Sequence, residues 1–87
     1  MNRALMGGRP RPVLVVECDE PASERLWLDF GPPTRQEIAA SGDHRLRWPM
    51  RSQRAALRAR RDVEHRKGVS SARISYDSAP SGGPTIA

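Results

Sequence analysis

A single cysteine, Cys18, stands in the 87 residues, so no intrachain disulfide can staple the chain. The same scarcity excludes a cysteine-built zinc site. No wholly apolar run is longer than Val13–Val16, which is too short to span a bilayer or to form the core of a signal peptide. The expected compartment is therefore the cytoplasm, and no membrane partner is expected. Close ligand pairs of the CxxC or HxxxH kind are missing, as is a glycine-rich phosphate loop, because Gly7-Gly8 and Gly82-Gly83 fall near the two ends. Neither a metal nor a cofactor is expected.

What the chain does have is charge, unevenly placed. Arg45 to Lys67 holds nine basic residues against Asp62 and Glu64, a net of +7 within a chain whose total is +5. The earlier part of the domain is acidic, through Glu17, Asp19, Glu20, Glu24, Asp29 and Glu37. The protein is polarised along its length. Lys67 is the only lysine among the fifteen basic residues. Arginine matches phosphate and carboxylate geometry better than lysine does, although a compositional bias toward arginine has other origins too.

Glycine, proline and serine at both ends suggest flexible tails over 1–11 and 78–87, leaving one small domain over 12–77. A core that small is marginal alone, so a homo-oligomer or a complex subunit is expected. Val13 to Cys18 is β-branched and reads as a buried strand. ERLWLDF alternates Leu26, Leu28 and Phe30 with Arg25, Trp27 and Asp29, a second strand pattern. Thr34 precedes Glu37 at capping-box spacing, so TRQEIAAS reads as a short helix ending near Gly42. HRLRWPM alternates again, with Leu46, Trp48 and Met50 inward and Arg45 and Arg47 outward. Ser52 caps a long basic helix that stops at Gly68, and ARISYD supplies a last strand with Ile74 and Tyr76 inward. The expected fold is α+β, a mainly antiparallel sheet in β-β-α-β-α-β order with one short and one long helix.

At about 100° per residue, Arg51, Arg54, Arg58, Arg61 and His65 share one arc of the long helix, while Ala55, Ala56, Ala59 and Val63 share another. The small-residue arc suits packing on a sheet, which turns the arginines toward solvent or a partner. Aligned arginines repel one another, and a line of phosphates relieves that repulsion and releases counterions. The leading expectation is a small basic regulator or accessory subunit that contacts DNA or RNA through Arg51, Arg54, Arg58 and Arg61. Arg45 and Arg47 would extend the patch if their strand face adjoins the helix. The plainer account is a solvated helix face, partly neutralised by Asp62, Glu64 and the acidic segment.

Two other readings compete. A protein-interaction module would use the arginines on an acidic partner, or on a second copy of the chain, with Trp27 as its anchor. A small ribonuclease would use His44 and His65 as acid and base. TRQEIAASG also resembles the opening of a helix-turn-helix. Pro49 interrupts the place where a recognition helix should run, so an ordinary capped helix accounts for the same residues. Cys18, after an apolar strand, reads as a small core side chain.

Overall fold

The computed structural model describes residues 11–77. The proposed tails lie almost wholly outside the described residues, except that Arg11 already belongs to the first strand. In chain order the elements are β1 (Arg11–Cys18), α1 (Glu20–Phe30), β2 (Arg35–Ile38), β3 (His44–Pro49), α2 (Gln53–Glu64) and β4 (Val69–Asp77). The strands form one sheet in the order β2-β3-β1-β4, with every neighbouring pair antiparallel. This is the α+β class expected, built as two interleaved split β-α-β units, the ferredoxin-like connectivity. Such a topology serves many unrelated activities and identifies none.

Two local expectations exchange places. Residues 25–30 are helical, not extended, because Asp19 caps the segment by accepting the Ala22 N–H at 2.9 Å, and Pro21 sits in the first turn, where its missing N–H costs nothing. On a helix Ala22, Ser23 and Leu26 share the buried face, and Phe30 packs partly against the same core. Conversely, residues 35–38 are a strand and not a capped helix. The Thr34 hydroxyl donates to the Arg47 carbonyl at 3.2 Å instead of capping a turn, and β2 pairs along β3 from Arg35↔Arg47 to Ile38↔His44. With that strand the resemblance to a helix-turn-helix ends.

The core lies between the two helices and one sheet face. Leu14, Val16 and Cys18 of β1 meet Leu46 and Trp48 of β3, Ala22 and Leu26 of α1, and Val63 of α2. Trp48 donates its indole N–H to the Gly31 carbonyl at 3.0 Å, so the largest core side chain is buried with its polar atom satisfied. Burial pushes the Cys18 thiol up to about 11, with help from Asp19 and Asp43. It therefore stays protonated at neutral pH and packs as a small apolar group. Asp29, at the end of α1, and Asp62 of α2 both pair with Arg66, whose guanidinium also lies 6.0 Å from the centre of the Phe30 ring. One arginine thus ties the two helices together.

Alternation along the strands puts the remaining residues on the opposite sheet face, away from both helices. Val13, Val15 and Glu17 of β1 stand there beside Arg45 and Arg47 of β3, Arg35 and Glu37 of β2, and Arg73 of β4. Val15 is fully buried, flanked in register by Arg47 and Arg73, residues whose long stems are able to cover apolar surface.

Candidate nucleic-acid interface

Helix α2 starts where Ser52 accepts the Ala55 N–H at 3.1 Å. It buries Ala56 and Val63 and half-buries Ala55 and Ala59, which is the small-residue arc expected to pack on the sheet. It lies over β1 and β4. The helix ends at Glu64, with His65 as its C-cap, so the element is shorter than the sequence suggested. Arg54, Arg58 and Arg61 remain on its exposed face, together with Leu57. Arg51 precedes the N-cap and lies outside the helix, yet it joins Arg54 and Arg58 in lining one groove.

That groove has a volume of about 570 Å³ and is also lined by Phe30, Met50, Ala55, Ala59 and Asp62. Arg54, Leu57, Arg58 and Arg61 line a second, smaller depression on the outer side of the helix. No carboxylate lies within ion-pair distance of Arg51, Arg54, Arg58 or Arg61 among the described residues. Asp62 pairs with Arg66, and Glu64 sits 3.8 Å from Arg60 and 3.6 Å from His65. The first turn of α2 contains no acidic residue either, so Arg54 lies at the positive end of the helix dipole.

Arg45 and Arg47 are not part of this surface. They occupy the sheet face turned away from the helices, so the sheet itself separates them from the stripe. Arg45 donates to Glu17 at 2.9 Å and to Glu37 at 2.8 Å, while Arg47 approaches Glu37 only to 3.9 Å. Strand alternation gave their shared orientation, but which sheet face α2 covers is a property of topology. Arg35 and Arg73 share that face, and nothing in their own segments marked them as part of a basic surface.

The Arg45 hydrogen bond, then Arg45, Arg47 and Arg35 through space, hold the Glu37 carboxyl below its usual range. A lowered carboxylate stabilises the fold above its unfolded value near 4.5 and loses that contribution as the pH falls through the lower folded value. Acid unfolding between pH 5 and 2, followed by circular dichroism, should therefore be shallower in Glu37→Gln than in the wild type.

Trp27 is 43% exposed, and Leu28 beside it is 85% exposed. Together with Glu20, Glu24, Gln36 and His44 they line a groove of about 420 Å³ between α1 and the β2–β3 edge of the sheet. Trp27 is thus an exposed side chain on a helix, not one on an uncovered sheet face. His44 accepts a hydrogen bond at Nδ1 from the Gln36 Nε2 amide at 3.1 Å, whereas His65 lies at the end of α2 beside Glu64. No hydrogen bond joins the two imidazoles, and they share none of the grooves described. Among the described residues no group of three or more His, Cys, Asp or Glu is placed to hold a metal ion, and no helix is long and apolar enough to cross a membrane.

Comparison of the chain with protein-family models, with curated proteins and with solved structures finds no match.

Proposed function

We propose that the protein binds nucleic acid through the α2 face, with Arg51, Arg54, Arg58 and Arg61 contacting phosphates. The observation that carries this reading is the contrast within one charge-rich surface. Arg60 and Arg66, on the same helix and just after it, each have a carboxylate within ion-pair distance, and these four have none among the described residues. Keeping four such arginines adjacent, one of them at a helix N-terminus, costs stability that bound phosphate would restore. On this reading the protein acts as a regulator or accessory subunit. The test is a titration of DNA and RNA oligonucleotide binding against salt. A steep fall in affinity with salt supports phosphate contact, and binding that is absent, or indifferent to salt, rejects it.

A second reading has an observation of its own. Trp27, Leu28 and Ile38 are large apolar side chains exposed on α1 and the edge strand β2, with Ile38 at 61%. Exposed tryptophan and leucine beside an unpaired strand edge suit a protein partner, including a second copy of the chain. On this reading sedimentation should show a dimer or higher species at micromolar concentration, and Trp27→Ser should shift it to monomer. A wild-type monomer throughout would remove self-association.

A further inference from the structure

The sheet face turned away from the helices carries charge that the nucleic-acid reading does not use. Its β2–β3 end holds a pocket of about 380 Å³ lined by Val13, Thr34, Arg35, Arg47 and Pro49. Arg35 and Arg47 are direct cross-strand partners, an arrangement in which like charges destabilise a sheet. Glu37 is the carboxylate nearest them, and it is committed elsewhere. Its Oε2 takes a 2.8 Å bond from Arg45 and stands 3.9 Å from Arg47.

Arg35 has no ion-pair partner among the described residues, and the Arg47 Nε, though buried, has no hydrogen-bond partner. Arg45 and Arg47 therefore share Glu37, and Arg35 acts on that carboxylate only through space. The next carboxylate along the face, Glu17, is bonded to Arg45 at 2.9 Å and lies 3.8 Å from Arg73, so it does not reach the pocket. Alternation places no aromatic side chain on this face of the described strands, so it offers no platform for stacking a base. What it offers is forked donors beside a small apolar floor of Val13 and Pro49.

We propose that this pocket is a separate anion site, seating a phosphoryl group between Arg35 and Arg47. Two guanidiniums present paired N–H donors that match a tetrahedral oxyanion; a monoester dianion neutralises both at once, and a backbone diester neutralises one. The site lies across the sheet from the α2 stripe and stands whether or not the stripe binds nucleic acid. The phosphoryl group comes either from a small phosphate monoester or from a nucleic-acid backbone.

NMR of the arginine side-chain and backbone N–H groups tests it, with inorganic phosphate titrated at constant ionic strength. Saturable shifts should appear at residues 34–37 and 47–49. Arg35→Gln, on the edge strand, and Arg47→Gln should each weaken binding about tenfold or more, the rest of the spectrum reporting an intact fold. Arg54→Ala/Arg58→Ala should leave these shifts unchanged. Two further arms separate the sources, ribose 5-phosphate as a monoester and an unphosphorylated oligonucleotide as a pure diester. Saturation by either at the same residues supports the site and names its source. Shifts at residues 34–37 and 47–49 that never saturate, or that survive both glutamine variants, would overturn the proposal.

Discussion

Gly68→Ala is expected to lower the stability of the protein by about 2–4 kcal/mol, combining a left-handed backbone cost with damage to a helix cap. Gly68 has a φ of +87°, a region that a residue with a Cβ enters only with strain. The Cβ of alanine would also stand 2.6 Å from the Asp19 Oδ1, inside any real contact distance. Asp19 cannot simply swing away. The same Oδ1 accepts the Ala22 N–H that starts α1, and the Asp19 N–H donates to the Gly68 carbonyl at 2.9 Å. The turn after α2 and the first turn of α1 are therefore one unit, joining the ends of β1 and β4.

Denaturant unfolding measures the effect, and a second variant apportions it. Asp19→Ala removes the cap but also removes the obstructing carboxylate, so it should cost about 0.5–2 kcal/mol alone. If the steric clash matters, adding Gly68→Ala to Asp19→Ala should cost less than adding it to the wild type. Strict additivity would leave the backbone conformation as the whole effect. A Gly68→Ala protein as stable as the wild type would show that this turn does not govern the fold.

The same junction explains why the sequence misled at α1. Leu26 and Phe30 fit an alternating strand and a helical face equally well, four residues apart, so periodicity alone could not choose. The deciding signal stood upstream in Asp19 and Pro21, a cap and a first-turn proline, which also read naturally as the end of β1. At β2 the error runs the other way. Thr34 and Glu37 have capping-box spacing, but Ile38 is exposed and the segment has no face to bury as a helix. Its backbone is satisfied by β3, a long-range partner that no local pattern reveals. By contrast β1, β3 and α2 were legible because each buries a continuous apolar set, Val13 to Val16, Leu46 with Trp48, and Ala56 with Val63. The Arg54, Arg58 and Arg61 alignment follows from helical geometry. The separation of Arg45 and Arg47 from it does not, because it depends on which face of the sheet the helix covers.

Changing Arg54 and Arg58 together to alanine should flatten the salt dependence of nucleic-acid binding by roughly two units in the slope of log K against log salt, if each contacts one phosphate. Alanine favours helix, both side chains are exposed, and neither has an ion-pair partner among the described residues, so the fold should be unharmed or slightly strengthened. The matching control is Arg60→Ala/Lys67→Ala, which removes equal charge away from the groove and should change affinity less. Arg54→Glu sharpens the distinction further. A carboxylate in the first turn of α2 favours the helix dipole and stands four residues before Arg58, so thermal stability should rise by about 0.3–1 kcal/mol while binding weakens. That opposition of signs separates a face kept for a ligand from one that is merely solvated, since a solvated face has no affinity to lose. Should the two double variants lose affinity equally, the binding depends on total charge and the α2 groove is not where the phosphates sit.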